Sequence, residues 1–197
     1  MGPRPLRFKS TLTAFLAAVW FSAPLAAQDA APAAPMPTAE READLLRQLR
    51  EAESPQAAER VAGELRGLWS RSGSAAIDLL LRRGQDALEQ GRPEEAAEHF
   101  TAAIDWAPDF AEPYVGRASA FYLTGRAGPA IDDLRQALVL NPDDWEALQG
   151  FAAILDEVGR PADALEVWRR VHDMHPQNPE AAAAVSRLAA ETEGQTL

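Results

Sequence analysis

The chain has 197 residues, a formal charge of −11 and no cysteine. Without cysteine there are no disulfides, thiolate metal sites or cysteine nucleophiles. An acidic chain whose cations are all arginine apart from Lys9 is poorly suited to nucleic acid or anionic membrane surfaces, both of which repel it. Its richness in Ala, Leu, Glu and Arg favours helix.

Residues 1–27 read as an export signal. Arg4, Arg7 and Lys9 make a positive start, an apolar run follows from Thr11 to Ala23, and Leu25-Ala26-Ala27 offers small residues for cleavage after Pro24. The apolar run is short for a membrane span. The reading predicts cleavage near Ala27, a periplasmic location, no stable membrane span afterwards and a mature charge of −14. Residues 28–39 are a Pro/Ala tract without an apolar face and read as a disordered linker.

Residues 40–76 read as a helical pair. Leu45, Leu46, Leu49 and Ala52 make one stripe, with Thr38 as its cap. Ser54-Pro55 stops that helix and starts the next, whose buried side carries Val61, Ala62, Leu65, Leu68 and Trp69. The pair lacks the spacing that follows it and reads as an N-terminal cap.

From residue 77 a step of 34 residues governs the chain. It relates Gly91-Arg92, Gly125-Arg126 and Gly159-Arg160, then Ala96, Ala130 and Ala164, then Pro108, Pro142 and Pro176. Such a period means stacked supersecondary units. The units run 77–110, 111–144 and 145–178, each divided into two helices at its Gly-Arg pair. Glycine permits a left-handed helix ending, and the proline stops the second helix. Small residues at 96, 130 and 164 suit a close helix–helix approach, and Phe100, Leu134 and Trp168 fill the gap toward the next unit. Residues 179–197 supply a capping helix, with Ala182, Val185 and Leu188 as its stripe, and a tail.

These positions resemble the tetratricopeptide repeat family over residues 77–178. The best stretches are Gly91 to Ala96 with Phe100, Ala103 and Pro108, and Tyr114, Phe121, Gly125, Ala130, Ala137 and Asn141-Pro142. The departures are Val171, where small Ala is usual, and Arg83 and Arg117, where an apolar residue is common. The resemblance implies an all-α solenoid of three helix-turn-helix units between an N-terminal helical cap and a C-terminal capping helix. It also implies a concave groove lined by the first helix of each unit.

Carried onto this chain, that groove offers Asp78, Leu81, Gln85, Leu88 and Glu89. The second unit adds Glu112, Val115, Ser119, Tyr122 and Leu123, and the third adds Glu146, Gln149, Ala153, Asp156 and Glu157. Six of these are acids and none is arginine. The positions equivalent to the carboxylate clamp of some family members, Leu81, Gln85, Gly116, Glu146 and Gly150, lack the cations a clamp needs. The expected partner is a basic or apolar protein or peptide segment anchored on Tyr122. A structural protein that self-associates without using a groove is the alternative.

No chemistry stands out. His172 and His175 close the last repeat helix without a third ligand, and His99 sits beside Glu95 on a solvated face. No phosphate loop, nucleophile elbow or calcium loop occurs. The expectation is therefore no enzyme, no metal and no cofactor. Trp106 and Trp145, at the unit connections, are expected to pack against neighbouring helices.

Overall fold

In the computed structural model the chain divides into two units, Met1–Pro35 and Met36–Leu197. The structure describes Gly2 and residues 38–194, so the export segment apart from Gly2, and most of the linker, lie outside the described residues. Among the described residues there are nine helices and no strand. They are α1 (Thr38–Arg50), α2 (Pro55–Trp69), α3 (Ala75–Glu89), α4 (Pro93–Trp106), α5 (Glu112–Leu123), α6 (Ala127–Leu140), α7 (Trp145–Glu157), α8 (Pro161–Met174) and α9 (Pro179–Gly194). None is long and apolar enough to cross a membrane.

The hairpins α3–α4, α5–α6 and α7–α8 repeat one local chemistry. Gly91, Gly125 and Gly159 take φ of +68°, +74° and +78°, which only glycine adopts without strain. The arginine after each glycine then donates its N–H back to the helix just ended. Arg92 reaches the Ala87 carbonyl (2.8 Å), Arg126 that of Phe121 (2.8 Å) and Arg160 that of Leu155 (2.9 Å). These bonds satisfy carbonyls the helix end leaves open. Ser54 Oγ accepts from the Ala57 N–H at the start of α2, as a capping serine before proline should. Thr38 differs from its expected role, since it lies within α1.

Between the hairpins, size fixes the stacking. Phe100 is fully buried between Gly84 of α3 and Gly116 of α5, where a Cβ would sit 2.5 Å and 2.4 Å from its ring. Both glycines are therefore space for one aromatic ring. Arg117, the departure at an apolar position, is absorbed by an ion pair. Its Nε and Nη2 donate to the two carboxylate oxygens of buried Asp133, each at 2.8 Å, and Nη1 donates to Thr101 Oγ1 at 3.1 Å. A bidentate pair with a third partner meets the requirement for burying such charges.

The α1–α2 hairpin covers apolar surface, as a cap does, but the surface belongs to the third unit. Leu45, Leu49, Ala58, Ala62 and Leu65 share one buried cluster with Trp145, Trp168, Met174 and Leu188. The core of α3 and α4, with Leu81, Ala96 and Phe100, is a separate cluster. The hairpin lies along the edge where the units are joined. The Ala52 carbonyl accepts from Gln177, Arg66 bonds Glu146 at the start of α7, and the Trp69 ring stacks 5.1 Å from Trp145. Trp145, 2% exposed, packs as expected. Trp106 does not: it is 80% exposed at the end of α4. Its equivalents one and two periods on, Leu140 and Met174, are half-buried and buried beside α1 and α2, and the hairpin does not extend to the first unit's position.

Candidate functional site

A hollow of 140 Å³ opens between α5 and α7. Its apolar wall comes from Val115, Ala118, Leu134 and Ile154, and Tyr122 stands over it, 39% exposed. Gly150 and Ala153 make part of the floor because α7 presents small side chains there. At Gly150 a Cβ would meet only Leu134, at 3.8 Å, so the space belongs to the hollow and not to the core.

Carboxylates surround this apolar patch. Tyr122 donates its hydroxyl to Glu157 at 2.5 Å, a bond that raises the phenol's pKa, and Glu146 lines the opening. Glu112, half-buried at the first turn of α5, is pushed up to about 8 by burial, with Asp144 and Glu146 repelling its charge. Buried Asp144 is pushed up to about 6 by burial, even though its Oδ1 caps α7 by accepting from the N–H groups of Glu146 and Ala147, both at 3.0 Å. Neither lines the hollow, and Glu112 faces the neighbouring edge beside α1 and α2.

The residues expected from sequence separate into groups. Val115, Ser119, Tyr122 and Glu146 line the hollow, with the Ser119 hydroxyl donating to the Val115 carbonyl at 3.1 Å. Gln149 lines a neighbouring cavity, where it donates to Glu180 and accepts from Asn178. Asp156 is tied to Arg187 of α9 at 2.5 Å. Gln85 is exposed and lines neither cavity. Leu81 must be corrected: it packs into the core around Phe100 and lines neither cavity. Asp78 also turns away, accepting from the Ser72 N–H (2.8 Å) and hydroxyl (2.6 Å), which lower its pKa and fasten the turn before α3.

Sequence reasoning missed Leu134 and Ile154 in the hollow, along with a whole wall of the neighbouring cavity. That cavity, 720 Å³, is bounded by α2 through Pro55, Glu59 and Arg66, and by α7 and the start of α9. A helix outside the repeat had no place in a groove carried over from the repeat pattern. One local signal was Trp145, a large apolar residue where the earlier units have Ile77 and Ala111. Among the described residues no group of three His, Asp or Glu side chains is placed to hold a metal ion.

A TPR repeat-containing protein of Rhizobium etli is 33% identical over 150 residues, covering 76% of this chain and 74% of that one. Among solved structures, the first TPR of Spaghetti (RPAP3) bound to an HSP90 peptide superposes with a TM-score of 0.58 at 23% identity, covering 61% of this chain and 95% of that one. The Yersinia enterocolitica type III secretion chaperone SycD in complex with a peptide of the translocator YopD gives 0.56 at 15% identity, covering 60% and 96%. At these identities the two structures speak for the fold. The tetratricopeptide repeat profiles match residues 77–110 and 124–188, and with the Rhizobium relative they establish that the chain belongs to the tetratricopeptide repeat family.

Proposed function

We propose that this protein is a non-catalytic adaptor of the bacterial periplasm, and that its concave face holds one basic and apolar segment of a partner polypeptide. The carrying observation is the hollow beneath Tyr122: an apolar cavity of 140 Å³ with Glu146 and Glu157 at its margin. An apolar side chain fills the hollow, and the acids select a positively charged segment and speed its encounter. The neighbours bound to an HSP90 peptide and to a YopD peptide support peptide capture on this fold. The HSP90 peptide reads Ser-Arg-Met-Glu-Glu-Val-Asp, which is acidic toward its end. The carboxylates here would repel such an ending, so the chemistry proposed for this chain has the opposite sign. The location rests on the charge pattern of residues 1–27 and the apolar run within it.

The test is affinity capture from the periplasmic fraction with the tagged full chain. Tyr122→Ala removes the half-exposed ring over the hollow, and Gly150→Leu fills the hollow against Leu134; each should release the partner while the melting temperature stays within a few degrees. Capture unchanged in both variants would end the groove reading. Absence of the protein from that fraction would end the location.

A further inference from the structure

The 720 Å³ cavity beside the hollow is lined by three carboxylates, from Glu59 of α2, Glu146 of α7 and Glu180 of α9. One cation serves them. Arg66 Nε donates to Glu146 at 2.8 Å, and its Nη2 donates to Glu59 at 2.9 Å. Glu180 has only an amide donor there, Gln149 Nε2 at 2.6 Å. His175 lines the same cavity, 7% exposed, and its Nδ1 has no partner. Burial pushes the imidazole's pKa down, so it brings no cation to the cavity. Three acids against one guanidinium make a site short of a cation. Among the described residues no three ligands are placed for a metal ion. Glu146, Gly150 and Ala153 line both this cavity and the hollow, so the two lie side by side along α7.

We propose that this second cavity receives an arginine side chain of the same partner segment whose apolar side chain fills the hollow, and that Arg66 is a resident guanidinium the incoming one displaces or joins. The inference rests on the groove reading and adds a second compartment to it. It also gives the α1–α2 hairpin a role in recognition, because two of the six groups named, Glu59 and Arg66, come from α2. Arginine suits the site better than lysine because its planar fork donates to two carboxylates at once, as Arg66 already does. The compartments meet along about two turns of α7, so leucine and arginine two residues apart in an extended segment, about 7 Å, can reach both.

The experiment uses the purified full chain and two fluorescent synthetic peptides. One carries leucine and arginine two residues apart in a glycine–serine background, and in its twin citrulline, a neutral isostere, replaces arginine. The arginine peptide should bind about fivefold more tightly than its twin, and added salt should erase the difference. Glu180→Gln should remove most of that advantage. Arg66→Ala should widen it by about threefold while leaving the citrulline peptide unchanged. If both peptides bind equally, and both are lost in Tyr122→Ala, the cation compartment is overturned and the groove survives. If neither peptide binds, or Tyr122→Ala and Gly150→Leu change nothing, both readings fall together.

Discussion

The first and third hairpins share a repeat but not a fate. In α7–α8, Trp145, Trp168 and Met174 are sealed into a cluster that α1, α2 and α9 complete. In α3–α4 the core is Leu81, Ala87, Ala96 and Phe100 with Ala120 of the next unit, and Trp106 stands in water. The position shared by Trp106, Leu140 and Met174 shows the gradient directly, running from exposed through half-buried to buried as α1 and α2 are approached. Repeat stacks are usually sums of nearest-neighbour terms. Here a helical pair from before the repeats closes onto their far end, through bonds spanning 80 residues (Arg66 to Glu146) and 125 residues (Gln177 to Ala52). The third unit should therefore depend on a distant segment, and the first on its own hairpin and its neighbour.

The sharpest test of that difference is Trp145→Ala. The ring is buried, stacks on Trp69 and meets His175 edge-on with centroids 5.9 Å apart. Its removal should cost about 3–5 kcal/mol in urea unfolding and expose α1 and α2 to limited proteolysis. A small loss with both helices still protected would mean that the hairpin is held by something other than the third unit.

How much of this was readable follows from the range of each interaction. The Gly-Arg turns could be read because their chemistry is local: a positive φ and two backbone bonds within one turn. The pocket for Phe100 was half legible, since the aromatic step was visible but Gly84 and Gly116 become meaningful only when two helices meet. The seat of the hairpin was not legible, because periodicity says nothing about contacts made outside the period. Its trace was a pair of departures in the third unit: Trp145 in place of Ile77 and Ala111, and His175 in place of Ala107 and Asn141. The groove shows the same limit. Val115, Ser119, Tyr122 and Glu146 line the hollow. Asp78 does not, because a nearby turn captured it, and Leu81 does not, because it packs into the core around Phe100.

Glu112 gives the comparison a pH dependence. It lies near Leu68 and Trp69, where α2 approaches the second unit. Burial raises its carboxyl from 4.5 to about 8, so the folded chain favours the protonated form. A raised carboxyl contributes stability that is present below its unfolded value and lost as pH climbs through the folded one. Glu112→Gln removes that loss. The variant should match the parent near pH 4 and then gain steadily to a plateau above pH 8. The plateau should lie about 1–2 kcal/mol above the parent, allowing for water around a half-buried group. Urea melts across that range decide it. A gain independent of pH would place the effect in packing and detach this acid from the hairpin's edge.

Trp106→Ala should produce the smallest change, and it is the counterweight to Trp145. Both are tryptophans near a unit connection, and both read alike in the sequence. A ring already 80% exposed has little apolar area to return to water. The expected change is within about 0.5 kcal/mol, with peptide binding untouched because α4 lines neither the hollow nor the cavity under α2. A cost approaching that of Trp145→Ala would mean the first unit carries a cover in solution equivalent to the hairpin on the third. The contrast between the two ends would then vanish.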